Sequence, residues 1–283
     1  MLLAPTEFSH ETIASHRNQS KYTQLYRCPH CTLEIFLPQI IGTSQFYIEM
    51  YYENNKNSSY INDRWEFYET QKDVKNIHSL IEIGCGEGAF LKIIRNTVPY
   101  IVGIEYNEQA IEKSRENGFS IYTSDEYDAI PKNYFDAVVA FHVIEHIADP
   151  VNFIKNLTTL LTTNGKIYLS VPNQDGPIKF IDPCIHNMPP HHATRWHTKT
   201  FEVLAEQLNL SIERISYEPL ATRDHYYYTW YWIKSKIKIY YIFYIINKIT
   251  GCFFEILIKL HINRCKWLKG QSLYIILKKN VEV

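Results

Sequence analysis

Residues 80–90 read LIEIGCGEGAF, and this stretch decides the fold. A run of apolar residues ending around one acid reads as a buried strand. Three glycines in five positions read as a turn, and Ala89-Phe90 opens a helical pattern. A glycine-rich turn between a strand and a helix lets backbone N–H groups approach a ligand closely, and its usual guest is a nucleotide. Gly84, Gly86 and Ala89 satisfy the spacing G-x-G-x-x-G/A, and Glu105 follows at about the twenty-residue distance of a ribose-binding acid. Gly84, Gly86, Gly88 and Glu105 serve a dinucleotide and an adenosyl sulfonium equally well.

Outward from residue 79, short β-branched runs alternate with stretches of helical period, the pattern of a parallel sheet with crossover helices. Strands are expected near 79–83, 100–105, 119–123, 135–141 and 166–171, and helices near 87–97, 107–117 and 149–162. Asn107 and Asp149 are N-caps, and the Asn-Gly pairs at 117–118 and 164–165 are stops. A helix over 198–210, a strand over 211–217 and a last strand over 271–279 complete the core.

The acids around the loop separate the two ligands. Glu87 stands at the helix start, where a carboxylate repels a pyrophosphate but not a sulfonium. Glu82, inside the strand, is placed to steer an ammonium group through ordered water.

Four stretches resemble the class I S-adenosylmethionine-dependent methyltransferases: LIEIGCGEGAFLKII (80–94), IVGIEYNEQAIEKSRENG (101–118), FDAVVAFHVIEHIADPVNFIKNL (135–157) and GKIYLSVPN (165–173). The resemblance covers about residues 77–217 and the last strand. It implies a Rossmann-like α/β fold, a seven-stranded sheet with helices on both faces and an antiparallel last strand. It also implies S-adenosylmethionine as cofactor. Carried over position by position, Gly84, Cys85 and Gly86 line the methionine half, Glu105 binds the ribose hydroxyls and Tyr106 packs on the adenine. Asp125 or its neighbour meets the adenine amine, and the backbone at Phe141 and His142 flanks the sulfonium.

Methyl transfer is an in-line displacement at an activated carbon, so a protein aligns the nucleophile and takes its proton. HVIEH sets His142, Glu145 and His146 at the carboxyl edge of the sheet as the catalytic group, with His142 the candidate base or, alternatively, a residue that caps and packs the turn. NMPPHHATRWH (187–197) should lean over the same edge, making His191 and His192 substrate contacts. Arg195 holds an acidic or phosphorylated substrate or pairs with the acidic body. The runs H-x-x-E-H and H-H also resemble the metal ligands of some small-molecule and RNA methyltransferases. Those enzymes carry an acid where this chain has His142, and no metal ligand is assigned.

Composition sets the surroundings. Of 283 residues, 46% are hydrophobic and 21% charged, enough for one sizeable core with a small extra module. Residues 226–270 hold eight Lys/Arg against the single acid Glu255, which leaves the body acidic and a poor nucleic-acid binder. This basic, aromatic segment is expected to be helical, and its apolar face packs on the sheet or a second copy of the chain, or meets an anionic membrane surface. The scattered cysteines and the N-terminus MLLAPTEFSH suggest a cytoplasmic location, at most peripheral on the inner membrane face. Cys28 and Cys31 form a lone C-x-x-C, which His10 and His16 would have to complete for zinc; the alternative is a metal-free turn.

The expected organisation is a cap over 1–76, the cofactor-binding core over 77–217, an insertion over 218–270, and the last strand with the C-terminus over 271–283. The expected activity is O-methylation of a small-molecule acceptor, a sugar or glycan precursor, or else a lipid-linked or quinone-type molecule. A nicotinamide-dependent oxidoreductase and a membrane-surface adaptor with a vestigial pocket are the readings from other classes.

Overall fold

A computed structural model describes residues 23–43, 46, 63–181, 184–221, 230–231, 240–259 and 264–280. The chain order begins with a hairpin, β1 (Gln24–Arg27) and β2 (Glu34–Leu37), and then α1 (Trp65–Asp73). The expected alternation follows: β3 (Ser79–Ile83), α2 (Ala89–Ile94), β4 (Tyr100–Glu105), α3 (Glu108–Glu116), β5 (Ser120–Thr123) and β6 (Phe135–Phe141). After α4 (Pro150–Leu160) and β7 (Leu161–Pro172) come the short β8 (Thr194–Arg195), α5 (Thr198–Gln207), β9 (Leu210–Ala221), α6 (Tyr240–Lys259) and β10 (Arg264–Lys279).

The seven-stranded sheet has the order β5-β4-β3-β6-β7-β10-β9. Strands β3 to β7 are parallel, and β10 runs antiparallel to both β7 and β9. The two-residue period of the strands divides the core between the faces. Ile81, Ile83, Val138 and Ala140 pack with Ile154 and Leu157 of α4 and Phe201 of α5, while Leu80, Val139 and Phe141 pack with Phe67, Phe90 and Ile111 of α1, α2 and α3. The predicted caps are in place: Asn107 Oδ1 accepts from the N–H groups of Gln109 and Ala110, and Asp149 Oδ1 accepts from Asn152, with Pro150 at the first helical position.

Several boundaries differ from expectation for physical reasons. Helix α2 starts at residue 89 because Gly88, at φ +76°, is its left-handed cap. Asn164 and Gly165 lie inside β7 and do not stop a helix, and a Cβ at Gly165 would stand 2.8 Å from the Leu161 side chain and 2.9 Å from the Phe135 carbonyl oxygen. Strands β9 and β10 extend into the segment read as an insertion, pairing Ala221 with Arg264 and Leu220 with Cys265. Ser272 of β10 lies opposite Pro172 at the end of β7, so residues 264–271 project past the carboxyl ends of the parallel strands. The insertion that carries α6 therefore leaves the core from the edge where open α/β sheets bind ligands.

Helix α1 lies in the segment expected to be a separate cap, yet its Phe67 packs at 5.4 Å from Phe90 and 5.2 Å from Phe141, between ring centroids. A line drawn at 76/77 thus runs between residues of one core. The β1–β2 hairpin carries Cys28 and Cys31 in its turn and forms a separate three-stranded sheet with β8. Cys31 is fully buried in the core that also holds Trp196 and Phe201. Among the described residues no third His, Cys, Asp or Glu groups with the two thiols, and His10 and His16 lie outside the described residues.

Candidate active site

The glycine loop is held open by backbone geometry. Gly84, Gly86 and Gly88 all have positive φ, at 72°, 54° and 76°. A Cβ at Gly84 would stand 2.8 Å from Val143 Cγ2, and one at Gly88 2.7 Å from Ser114 Oγ. Side chains are therefore excluded from the cradle by strain and by contact together. The Cys85 side chain turns away from the loop into the sheet, where Gly103 makes room for its sulfur, so only its backbone can line a cofactor.

Glu105 ties the loop to the next turn. One carboxylate oxygen accepts from Gly86 N–H at 2.8 Å, and the other accepts from Tyr106 N–H at 2.8 Å and Asn107 N–H at 3.0 Å. Three bonds leave one lone-pair direction of the carboxylate for a ribose hydroxyl. Tyr106 is 44% exposed beside it, open to a flat ring, and Asp125 is exposed in the turn after β5.

Glu82 is the odd group. It is 3% exposed and its Oε2 has no hydrogen-bond partner among the described residues. Burial first, and the charge of Glu105 second, raise its carboxyl well above the usual range. A nearby cation favours the ionised form of such a buried acid, and a nearby anion disfavours it. Of the two acids expected to favour a sulfonium, Glu87 pairs with Lys113 at 2.8 Å, which blunts its repulsion of an anion.

At the end of β6, His142 has φ +53°, an uncommon backbone state for a residue with a side chain. Its Nε2 lies 2.9 Å from Glu66 Oε1 and its Nδ1 3.3 Å from Glu145 Oε1, and Ser272 Oγ lies 3.3 Å from Nε2. Ser170 donates to the same Glu66 oxygen. Burial and Arg64 pull the imidazole down, but the two carboxylates outweigh them and hold it above its ordinary value. For Glu145, burial pushes up and the contact with His142, 3.3 Å away, wins, holding it at about 2. An imidazole between two carboxylates holds its second proton more tightly than a free one. Both ring nitrogens of His142 thus have a carboxylate partner, in a Glu66–His142–Glu145 unit. Glu66, Ser170 and Ser272 have no local signal in the sequence, since their roles arise from three distant elements meeting.

The second half of HVIEH meets the loop before β8. Ala193 N–H and Thr194 Oγ1 both donate to the Glu145 carbonyl oxygen, at 2.9 and 3.3 Å. This brings the ring centroids of His191 and His192 to 5.0 and 4.8 Å from that of His146. Burial, then repulsion from His146, lower His191 to about 4, and burial lowers His192 to about 2, so both are neutral near pH 7. Arg195 is engaged in structure: it donates to the Asn187 carbonyl oxygen at 2.7 Å and lies 3.7 Å from Glu34. That pairing with the acidic body is the second of its two expected roles.

A family model described as a methyltransferase domain matches residues 52–217, more than half of the chain. The chain belongs to the S-adenosylmethionine-dependent methyltransferases. This methyltransferase is 24% identical over 119 residues to the ubiquinone biosynthesis O-methyltransferase of Coxiella burnetii, a match covering 40% of the chain and 50% of that relative. The chain spans about half the length of the curated relatives it matches. Among solved structures, a SAM dependent methyltransferase from Archaeoglobus fulgidus aligns with a TM-score of 0.52 at 19% identity, over 84% of this chain and 95% of that one. A possible histamine N-methyltransferase from Thermotoga maritima aligns with a TM-score of 0.55 at 13% identity, over 83% and 100%. At such identities the structural likeness speaks for the fold alone. The cofactor is S-adenosylmethionine, and the residues fit it: the glycine cradle admits close backbone approach, and Glu82 offers a buried acid to a ligand that carries a sulfonium and an ammonium.

Proposed function

We propose that this methyltransferase acts on a hydroxyl oxygen of a small acceptor that carries a lipid-like tail, its head a quinol-type or sugar ring. When bound, S-adenosylmethionine supplies a methyl carbon activated by its sulfonium. The chain's own task is to hold the acceptor oxygen in line and exclude water. The glycine cradle and Glu105 would hold the cofactor, and the Phe67–Phe90–Phe141 cluster supplies an apolar wall below the carboxyl edge.

The observation that carries the acceptor reading is the surface of α6. Ile242, Ile245, Ile249, Phe253 and Ile256 are each 41–64% exposed and recur every three or four residues, an apolar stripe, and Tyr244, 48% exposed, stands on another side of the helix. Lys248 lies over the Tyr244 ring at 5.1 Å, charged head beside apolar surface, as side chains do at a membrane interface. No helix among the described residues is long and apolar enough to cross a membrane. Interfacial contact is the use of such a stripe that also brings a tailed acceptor to the edge from which the insertion springs. The Coxiella relative, a ubiquinone biosynthesis O-methyltransferase, supports the reading of an oxygen acceptor.

The test is methyl transfer from labelled cofactor to a quinol-type phenol with and without a long alkyl tail, in the presence of anionic vesicles. Label should enter the tailed acceptor and the protein should float with the vesicles, less so at high salt. The double substitution Ile249→Glu and Phe253→Glu should abolish flotation and leave adenosylhomocysteine affinity unchanged. Equal labelling of tailless acceptors, or a protein that ignores vesicles and sediments as a dimer through α6, would refute the reading.

A further inference from the structure

We propose that His146, His191 and His192 form a binding site for a divalent transition-metal ion, zinc being the natural choice. Among the described residues they are the only three metal-ligating side chains that converge, with ligand atoms all within 4.8 Å of one another. His191 and His192 stack at 4.4 Å between centroids, and His146 meets both edge-on. Three imidazoles gain little from one another alone.

The groups behind the rings aim them. His146 Nδ1–H donates to the His191 carbonyl oxygen at 2.5 Å, and His192 Nδ1–H donates to Asn187 Oδ1 at 3.1 Å. Each bond fixes the tautomer that keeps the lone pair on Nε2, which is how metal-bound histidines are oriented by their outer partners. The loop is itself fixed, with the N–H groups of His191 and His192 both donating to the Met188 carbonyl oxygen at 3.1 Å and Ala193 N–H tied to Glu145. Glu145 adds charge: it is 1% exposed, and its carboxylate oxygens have no hydrogen bond of good geometry among the described residues. His142 faces that carboxylate from one side at 3.3 Å, and a cation among the three imidazoles would face it from another.

Three nitrogen ligands without a thiolate suit zinc, cobalt or nickel, and they leave a coordination position open to oxygen. Bonds of about 2.0–2.1 Å in a tetrahedral site put ligand nitrogens about 3.3–3.4 Å apart, so the rings close inward by χ rotation when the ion enters. The set differs from the H-x-x-E-H reading of the sequence, because His142 is held by Glu66 and Glu145 instead. An acceptor hydroxyl in the open position would release its proton to water more readily, and its oxygen would bond to the methyl carbon as the carbon–sulfur bond breaks. That use rests on the methyl-transfer reading; ion binding does not.

The full chain, stripped with chelator, is titrated with Zn2+ by calorimetry and with Co2+ by visible absorption. One ion should bind per chain, with cobalt bands of a low-coordinate nitrogen and oxygen site and no thiolate charge-transfer band. His146→Gln and His192→Gln should each weaken zinc about a hundredfold or more, and Asn187→Ala, which leaves all three ligands in place, about tenfold to a hundredfold. Circular dichroism checks that each variant is folded. The pair Cys28→Ser and Cys31→Ser should leave the cobalt spectrum unchanged. No binding, zinc affinity unmoved by the folded variants, or a thiolate band that disappears with the cysteines would overturn the proposal. Adenosylhomocysteine is titrated into the same samples: ion binding without it sinks the methyl-transfer reading alone, and the reverse sinks the metal site alone.

Discussion

Glu105→Ala should cost both stability and cofactor affinity, because one carboxylate does two jobs. In the protein alone it accepts the N–H groups of Gly86, Tyr106 and Asn107, and Gly86 and Asn107 are buried. Removing the acceptor leaves at least two buried donors unsatisfied, at about 1–3 kcal/mol each. A destabilisation of about 2–5 kcal/mol follows, a fall in melting temperature on the order of 5–15 °C in a chain of this size. Glu105→Gln separates the jobs, since its amide oxygen can still serve one side while its NH2 opposes a backbone donor on the other. It should lose roughly half as much stability. A lost bond from a ribose hydroxyl to a charged acceptor, about 1.5–3 kcal/mol, should weaken adenosylhomocysteine about tenfold to 150-fold in both variants. The assays are thermal unfolding without cofactor and calorimetric titration with adenosylhomocysteine. If Glu105→Ala melts with the wild type and binds as tightly, the carboxylate is neither latch nor ribose site and the reasoning fails.

Gly88→Ala should destabilise by about 2–4 kcal/mol in denaturant titrations, from left-handed strain at φ +76° plus a Cβ 2.7 Å from Ser114 Oγ and 2.9 Å from the Phe119 ring. Phe67→Ala, which empties the gap between Phe90 and Phe141, should cost about 3–5 kcal/mol; a loss near zero would mean that α1 does not pack on the core. The latch His197–Asp175–Glu34 sets a pH dependence for the hairpin. Burial pulls His197 down, but Asp175 at 2.9 Å and Glu34 at 3.2 Å raise it above 6.5, and His197 in turn holds both carboxyls below their ordinary values. The raised histidine stabilises fully below pH 6.5 and loses that contribution as pH climbs through its folded value. The depressed acids stabilise above about pH 4.5 and lose it as pH falls, so amide-exchange protection of residues 24–37 should peak between those limits. His197→Gln should flatten the profile, and an unchanged profile would remove the latch.

How much of this was legible depends on how far each partner lies along the chain. The buried run 79–83, the glycine turn and Glu105 read correctly because each is fixed by its own backbone requirements. The alternation that followed placed the parallel strands for the same reason. The surroundings of His142 were not legible: HVIEH shows Glu145 but not Glu66, 76 residues upstream on a helix whose sequence, WEFYETQKD, mixes polar and aromatic residues without a clear apolar face. The start of β10 was hidden because RCKWLKG carries the lysines of the basic segment, and its pairing with β9 overrides that composition. The meeting of His146 with His191 and His192 depends on two donors reaching the carbonyl oxygen of Glu145, a contact that spacing cannot disclose.

The small sheet that joins β2 to β8 has a consequence for the chain while it is being made. Glu34 pairs with Arg195, so the hairpin emerges from the ribosome about 160 residues before its partner strand exists. At about 5–20 residues per second, that is a wait of roughly 8–30 s during which Leu33 and Phe36 have nothing to cover them. Closing so long a loop late also makes the hairpin one of the slower pieces to dock. The histidine loop beside β8 can be fixed in place only at that point, after the five parallel strands have been made and before β9 and β10 close the seven-stranded sheet.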